Sequence, residues 1–281
     1  MLITGEPRFA GVLGWPLERT LSPAIHTAAF ESAGLPWVYL AWPVPPERLE
    51  NAVEGLRALG AAGANVTMPH KEAILPLLDD LAEDARAVGA VNTVARNGNR
   101  LIGHNTDVSG FKEFVVGDAG VPIAGAHCVV LGAGGAARAV VKALSDLEAL
   151  DITVAARHAH KAAEVAAIAG ARGKAEPWAA IVRAVANADV VVNTTPLGMN
   201  KEELLEDARF ARGQCVVDLI YDPPSTPMLD RARAQGARTW GGIGMLVHQA
   251  AGSFRIWTGR EAPLESMSAA AVTSIAGHLR D

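Results

Sequence analysis

Short apolar runs alternate with amphipathic stretches along the whole chain. In the first hundred residues the pattern predicts strands at 9–14, 37–42 and 63–68, and helices at 24–33, 45–59 and 79–88. Asn97-Gly98 indicates a hairpin turn. Further along, the apolar runs 127–131, 151–156, 189–193 and 215–220 are almost continuous and alternate with helical stretches. Because parallel strands covered by helices on both faces are uniformly apolar, this second part predicts a parallel sheet.

Two α/β units are therefore expected. Pro122 and Gly125 mark a break between them, and 281 residues suffice for two domains with separate cores. After a short strand at 238–240 the tail returns to helix, at 245–257 and 264–279.

Composition and charge narrow the class of protein. Half of the residues are hydrophobic and a fifth are charged, as in globular proteins. A net charge of −5 argues against nucleic acid or an anionic membrane as the main partner. Cys128 and Cys215 lie in apolar runs, which indicates buried core residues of a protein in a reducing compartment. No apolar run approaches the roughly 20 residues that span a bilayer, and the start lacks a signal-peptide pattern. We expect a soluble, cytoplasmic protein.

The stretch Asn65-Val66-Thr67-Met68-Pro69-His70-Lys71 is the first candidate site. Pro69 should end the preceding strand and leave the Lys71 amine near that strand's end. Such an amine can bind an anion or exchange a proton with a substrate hydroxyl, although a solvated lysine would show the same pattern. Ser22 is predicted as a helix N-cap before Pro23, and Asp107 as a first-turn acid.

A glycine-rich turn is the second candidate site. Gly132-Ala-Gly134-Gly135-Ala-Ala137 follows an apolar strand and opens an Ala-rich helix, which is the context of the dinucleotide-binding form G-x-G-x-x-A. Gly132 would make the tight turn, Gly134 would admit a pyrophosphate, and Ala137 would allow close packing of the helix. The helix N-terminus would donate amide hydrogens to the phosphates.

The choice of nucleotide depends on the next strand. NAD-binding proteins usually carry an Asp or Glu near its end, and none is present there. Arg157, His158, His160 and Lys161 follow instead, a basic cluster suited to a 2′-phosphate, so NADP is favoured over NAD. His158 and His160 alone do not make a metal site, because no matching Cys or carboxylate set follows.

Eight pieces of the chain, in order, resemble the shikimate dehydrogenase family nearly end to end. They are Leu21-Ser22-Pro23 with His26, Asn65-Val66-Thr67 with Pro69 and Lys71, Gly89-Ala90-Val91-Asn92-Thr93, Asn105-Thr106-Asp107, the glycine turn at 132–136, Asn193-Thr194-Thr195-Pro196-Leu197-Gly198-Met199, Asp218-Leu219-Ile220-Tyr221, and Gly242-Ile243-Gly244-Met245-Leu246-Val247 with Gln249.

The resemblance implies the reversible reduction of 3-dehydroshikimate to shikimate by NADPH, a step of aromatic amino acid biosynthesis. It implies an α/β substrate domain of residues 1–107 completed by helices in 243–281, with a Rossmann-type NADP domain, 108–242, inserted between them. It makes Lys71 and Asp107 the catalytic pair, so these two side chains should face each other. No metal is required, since the nicotinamide carries the hydride.

The same resemblance implies the binding residues. For the substrate they are Thr20, Ser22, Thr67, Asn92, Tyr221 and Gln249. For the cofactor they are Gly132, Ala133, Gly134, Gly135, Ala136, Arg157, His158, Lys161, Thr194, Gly242 and Met245.

Two departures from the family pattern keep alternatives open. Arg19-Thr20-Leu21-Ser22-Pro23 stands where His-Ser-x-Ser-Pro is common, and Ala156-Arg157-His158 stands where Asn-Arg-Thr is usual. A quinate/shikimate or amino-shikimate dehydrogenase that uses NAD or both cofactors is therefore the main alternative. A catalytically silent ligand-binding relative is less favoured, because Lys71 and Asp107 are both present. The sequence leaves open whether the protein is a monomer or a homodimer.

Overall fold

The computed structural model describes residues 8–278, except for the side chain of His278. The chain divides into two compact units. Unit 1 is made of the chain up to Gly110 and from Val247 onward, and unit 2 is Phe111–Leu246.

The strands that the structure describes are β1 (Arg8–Gly14), β2 (Trp37–Pro43), β3 (Gly63–Val66), β4 (Asp80–Leu81), β5 (Thr93–Asn97), β6 (Arg100–His104), β7 (His127–Leu131), β8 (Asp151–Ala156), β9 (Gly173–Pro177), β10 (Val190–Asn193), β11 (Cys215–Asp218) and β12 (Arg238–Trp240).

The α-helices are α1 (Ser22–Ser32), α2 (Leu49–Ala58), α3 (His70–Ala73), α4 (Glu83–Val88), α5 (Asp107–Lys112), α6 (Gly135–Asp146), α7 (Ala159–Ala166), α8 (Ile181–Asn187), α9 (Pro227–Ala234), α10 (Ile243–Thr258) and α11 (Leu264–His278). A π-helical turn, Glu113–Asp118, follows α5.

Unit 1 contains a six-stranded mixed sheet in the order β2-β1-β3-β5-β6-β4. β5 runs antiparallel to β3 and β6, whereas β1 is parallel to both of its neighbours. The carboxyl ends of β1, β3 and β6 therefore lie at the same edge as the amino end of β5. Loops that leave this edge bring residues from distant parts of the sequence together.

Unit 2 contains a six-stranded sheet, β12-β11-β10-β7-β8-β9, in which every pairing is parallel. Its central strands are apolar on both faces, and all four residues of β10 are buried. This is the doubly wound arrangement, whose order reverses between β7 and β10. Ligands of such sheets bind at the carboxyl ends of the strands beside that reversal.

The α/β prediction is confirmed, and the structure corrects it locally. The segment predicted as a helix at 79–88 begins with the short strand β4 and becomes helical only at Glu83. The predicted N-cap role of Ser22 is wrong: Leu21 is the N-cap, and no side chain caps the helix. The Ser22 backbone N–H instead donates to Thr20 Oγ1 at 3.4 Å.

Cys128 and Cys215 are buried free cysteines. Burial raises the pKa of the Cys128 thiol to about 12. Over residues 8–278, none of the helices combines the length and the apolar character that a membrane crossing requires.

Candidate active site

Lys71 and Asp107 of unit 1 form a direct ion pair, with 2.6 Å between Lys71 Nζ and Asp107 Oδ2. Lys71 lies in α3, just beyond the end of β3, and Asp107 begins α5, just beyond the end of β6. The side chains are 17% and 5% exposed, so the pair is partly shielded while the amine keeps a path to solvent. The two residues face each other as expected. An amine held in one direction by a carboxylate, in a partly shielded site, can donate a proton to a substrate oxygen.

Asn92 holds the other side of the Asp107 carboxylate. It precedes β5 and therefore lies at the same sheet edge. Its Nδ2 donates to Asp107 Oδ1 at 2.9 Å and to Thr106 Oγ1 at 2.9 Å, and Gln249 Oε1 lies 3.3 Å away. Both carboxylate oxygens of Asp107 thus accept hydrogen bonds, which fixes the direction in which the carboxylate presents Oδ2 to Lys71.

Thr20 and Thr67 lie in the loops that leave β1 and β3, and Ser22 is the first residue of α1, directly after the loop that leaves β1. Ser22 is buried, and Thr20 and Thr67 are partly exposed. The Thr67 N–H donates to Leu13 O at 2.9 Å, which ties the loop after β3 to the end of β1. A Cβ at Gly14 would overlap the Thr67 methyl group, so close approach of these loops depends on that glycine. Unit 1 thus brings hydroxyl groups and an amide to the edge that carries the ion pair.

The glycine turn of unit 2 has the geometry of a phosphate-binding turn. Gly132 adopts a φ of +116°, which side chains strongly disfavour. A Cβ there would overlap Thr194 Oγ1, while Thr194 itself donates to Leu131 O at 2.7 Å. Gly134 faces open space, and α6 begins at Gly135 with its free N–H groups. These features fit a nucleotide pyrophosphate.

The segment after β8 carries the expected basic residues. Arg157 and His158 lie in the loop, and His160 and Lys161 lie in the first turn of α7. All four side chains are exposed, and the two imidazole rings are 5.9 Å apart. The Gly132 N–H donates to Ala155 O at 2.8 Å, so this loop begins beside the glycine turn. The arrangement fits a phosphate on the nucleotide's ribose.

Tyr221 and Gly242 lie near the end of β11, and Met245 lies in the first turn of α10. Tyr221 is partly buried, and burial raises its pKa to about 12. A Cβ at Gly242 would overlap Leu219 O, so only glycine fits there, and Met245 is buried. Among residues 8–278 there is no group of three or more His, Cys, Asp or Glu side chains that could hold a metal ion.

Two buried polar groups were not singled out by the sequence. Asp218 Oδ1 accepts from Asn193 Nδ2 at 3.0 Å and from Ile220 N at 3.0 Å, while Oδ2 accepts from Thr226 Oγ1 at 2.8 Å. Burial raises the Asp218 pKa to about 6 against the effect of these donors. Asn193 and Asp218 occur in two of the motifs that resemble the family, and those motifs could have drawn attention to them. The second group, Ser253, is the one serine of the largely apolar helix α10, and no feature of the sequence marked it.

An amine–carboxylate pair in one unit and a glycine turn with a basic loop in the other define a class: nicotinamide-dependent dehydrogenases of α/β fold. Residues 12–94 match the family described as shikimate dehydrogenase substrate binding domain, residues 118–220 match shikimate/quinate 5-dehydrogenase, and residues 242–272 match shikimate 5′-dehydrogenase C-terminal domain.

Individual relatives agree with these matches. The chain is 45% identical, over 97% of its length and 96% of the relative, to a shikimate dehydrogenase (NADP(+)) of Symbiobacterium thermophilum. It is 36% identical to shikimate 5-dehydrogenase from Thermus thermophilus, solved in complex with NADP(H) and shikimate, with a TM-score of 0.86 over 95% of this chain and 99% of that one. A quinate dehydrogenase from Corynebacterium glutamicum in complex with NAD is 32% identical, with a TM-score of 0.85 over 95% and 99%. The chain belongs to the shikimate dehydrogenase family.

Proposed function

We propose that this chain catalyses the NADP-dependent, reversible reduction of 3-dehydroshikimate to shikimate. The observation that carries the proposal is the Lys71–Asp107 ion pair, 2.6 Å long and fixed from behind by Asn92. The names of the curated relatives support the substrate and the cofactor.

The chemistry follows from the charges of the pair. The cofactor supplies the hydride when it is bound. Hydride addition to a ketone leaves an alkoxide, which needs a proton at its oxygen. The Lys71 ammonium donates that proton, and in the oxidation direction the amine takes it back. The Asp107 carboxylate pairs with the ammonium at 2.6 Å and holds it in one direction.

The proposed substrate-binding residues belong to unit 1, except Tyr221 of unit 2, and the proposed cofactor-binding residues belong to unit 2. The hydroxyls of Thr20 and Ser22 would receive the substrate carboxylate. The ring would be bound by Thr67, Asn92, Tyr221 and Gln249. The cofactor would be bound by Gly132, Ala133, Gly134, Gly135, Ala136, Arg157, His158, Lys161, Thr194, Gly242 and Met245.

A quinate dehydrogenase that uses NAD is the second candidate. Two observations favour it: the solved quinate dehydrogenase with NAD that this chain resembles, and Arg19-Thr20 in the carboxylate-binding loop. A panel of shikimate and quinate, each with NADP and NAD, decides between the two. We expect the highest kcat/KM for shikimate with NADP, and a higher value for quinate with NAD would replace the first proposal with the second.

The lysine assignment is tested by Lys71→Ala. Removing the proton donor should lower kcat by about 10²–10⁴-fold, the usual contribution of a positioned acid–base group. NADP affinity, measured by fluorescence titration, should stay unchanged because Lys71 belongs to unit 1.

The matched control for that experiment is Lys112→Ala, which removes an exposed lysine paired with Asp146 at 3.5 Å. Its kcat should equal that of the wild type. Retention of turnover in Lys71→Ala would refute the assignment. We further propose a cytoplasmic enzyme, monomeric or homodimeric, and sedimentation of the purified protein distinguishes the two states.

A further inference from the structure

Ser253 in α10 is a fully buried hydroxyl surrounded by polar atoms. It receives a hydrogen bond from Asn65 Nδ2 at 2.8 Å, lies 2.7 Å from Thr93 Oγ1, and is 3.2 Å from Gln249 O. An apolar helix face would pack against the sheet without this hydroxyl. The serine is therefore needed for its hydrogen bonds, and the directions of these bonds indicate what it does.

The orientation of the Asn92 amide is fixed by a backbone group. Its Oδ1 accepts the Thr106 N–H at 2.8 Å, and a backbone N–H can only donate. Nδ2 must therefore point the other way, towards the Asp107 carboxylate, which as an ionised group can only accept.

The Asn65 amide is fixed in the same manner. Its Nδ2 lies 3.1 Å from the backbone oxygen of Asn92, which can only accept. Its Oδ1 accordingly accepts the Tyr39 hydroxyl at 2.7 Å. With Nδ2 as the donor, the Ser253 oxygen accepts from Asn65 and has its own hydrogen left to donate.

The Ser253 hydroxyl has two acceptors within reach, Thr93 Oγ1 at 2.7 Å and Gln249 O at 3.2 Å, and the shorter contact is the one to Thr93. With Ser253 donating to Thr93, Thr93 donates to Asn92 Oδ1 at 3.0 Å. Asn65 Nδ2 also lies 3.2 Å from Thr93 Oγ1, so the path through Ser253 is the connection between Asn65 and Thr93 that has the shorter hydrogen bonds. Asn65, Asn92, Thr93, Ser253 and Asp107 are all nearly or fully buried, so no member can exchange its partner for bulk water. The chain of donors runs in the order Tyr39, Asn65, Ser253, Thr93, Asn92, Asp107.

We infer that Ser253 is a positioning residue for the reaction: its hydroxyl joins Asn65 to Thr93 in a buried hydrogen-bond chain that ends on the Asp107 carboxylate and holds it towards Lys71. This inference rests on the proposed function, because it is tested through the rate of shikimate oxidation. Hydrogen bonds in such a chain polarise one another, so breaking the middle weakens the last bond, to Asp107. Ser253 itself touches neither Lys71 nor Asp107 in this chain, and it acts through Thr93 and Asn92.

The test measures kcat for shikimate oxidation in Ser253→Ala, Thr93→Val and the double variant. Each single variant should lose about tenfold in kcat, equal to roughly 1.4 kcal/mol and within the range for a broken buried hydrogen bond. Because both substitutions interrupt one chain, the double variant should lose about tenfold as well, and not the product of the two losses. The dissociation constant for NADP should stay unchanged.

Thr258→Val is the matched control. It removes a hydroxyl from the same helix, where Thr258 donates to Phe254 O at 2.7 Å and accepts from the Arg260 N–H at 3.2 Å, away from the Ser253 hydrogen-bond chain. Its kcat should equal that of the wild type. Its thermal unfolding midpoint shows how much stability is lost when α10 loses a hydroxyl that is not part of the hydrogen-bond chain. Ser253→Cys keeps a weaker donor of similar size and should give a kcat between those of serine and alanine.

The outcomes separate the inference from the proposed function. If the wild type does not oxidise shikimate, the proposed function fails. If the wild type is active and Ser253→Ala has the kcat of Thr258→Val, or if the losses in the double variant multiply, the positioning role is wrong. Should Ser253→Ala not fold, Ser253→Cys and Thr93→Val decide by the same measurements: lowered kcat with unchanged NADP affinity supports the role, and wild-type kcat overturns it.

Discussion

His26, in the core of unit 1, is a fully buried imidazole among aromatic rings. Its ring stacks on Tyr39 with 4.4 Å between centroids and 12° between planes, and Phe30 and Trp257 lie close by. Among the described residues neither ring nitrogen has a hydrogen-bond partner. Burial lowers the His26 pKa from 6.5 to about 3. The side chain therefore serves as a neutral aromatic ring, and its protonation is coupled to unfolding.

The coupling gives stability a pH dependence of known sign. Between pH 6.5 and about 3 the unfolded state takes up a proton at His26 that the folded state does not, so acid destabilises the fold. At pH 5 the loss is about 2 kcal/mol relative to neutral pH. His26→Phe should lack this component while keeping the stacking. Urea unfolding at pH 7.5 and pH 5 measures it, with exposed His160→Asn as the control, and an equal loss in wild type and His26→Phe would contradict the prediction.

Individual side chains differed in how far the sequence revealed them. Lys71 could be singled out because it follows a proline at the end of a predicted strand. Asp107 by itself indicated only a first-turn acid, and the family resemblance paired it with Lys71. Ser22 was misassigned because a cap depends on the backbone turn, and Leu21 occupies that place. Ser253 could not be found: its partners Asn65 and Thr93 are 188 and 160 residues away in sequence. Only the folded chain brings them into contact.

At the scale of secondary-structure elements, α10 packs unusually close to the sheet of unit 1. The Trp257 indole Nε1 donates to Val94 O of β5 at 2.9 Å. An added Cβ at Gly63 in β3 would overlap that indole nitrogen and lie 2.5 Å from Val94 O. Gly63 therefore creates the space through which the tryptophan reaches the backbone of the sheet.

Gly63→Ala should destabilise the protein by about 2–4 kcal/mol, since it breaks the buried Trp257 hydrogen bond and overpacks the site. The comparison is Gly55→Ala in α2, where a Cβ would meet no atom within 4 Å outside the helix. Alanine there should stabilise by about 0.5–1 kcal/mol, because it is the better helix former. Denaturant unfolding of both variants measures the difference. A similar stability for the two variants would show that the space at Gly63 is not required.

Strongly patterned elements were predictable, and weakly patterned ones were not. The buried strands of unit 2 are apolar at nearly every position, which made them evident in the sequence. β9, with the sequence Gly-Lys-Ala-Glu-Pro, is an edge strand of mostly exposed residues and was missed. Its strand conformation comes from pairing with β8 and not from its own residues. The short helix α7 was not predicted, because the basic residues at its start were interpreted as a loop.

For the whole molecule, the sequence pattern gave two α/β parts but did not indicate which sheet the last helices cover. A helical period identifies an apolar face without naming its partner. The return of the chain to unit 1 from Val247 onward was implied only by the family resemblance. In the structure α11 packs against α1, more than two hundred residues earlier in the chain. Contacts of this range follow from topology, which local patterns do not encode.

The charge of the whole molecule gives the last prediction. The protein carries a net charge of −5, yet Arg157 and Lys161 lie exposed beside the glycine turn. Overall repulsion of an anionic cofactor is thus opposed by a local attraction that the 2′-phosphate of NADP would feel and NAD would not. Salt screens exposed charges over a Debye length of about 10 Å at 0.1 M. Raising the ionic strength should therefore increase the KM for NADP several-fold and leave the KM for NAD nearly constant.

Initial rates at low and high salt with both cofactors measure this difference, with shikimate saturating. The variant Arg157→Gln/Lys161→Gln removes one cation from the loop after β8 and one from the start of α7, while keeping polar side chains of similar length. It should raise the KM for NADP at low salt and make it nearly independent of salt, because the screened attraction is already gone. Lys174→Gln is the control, since that lysine is paired with Asp151 at 3.1 Å on β8 and not in the basic loop. If salt changed the KM values of NADP and NAD equally, the loop after β8 would not be the site at which the 2′-phosphate is bound.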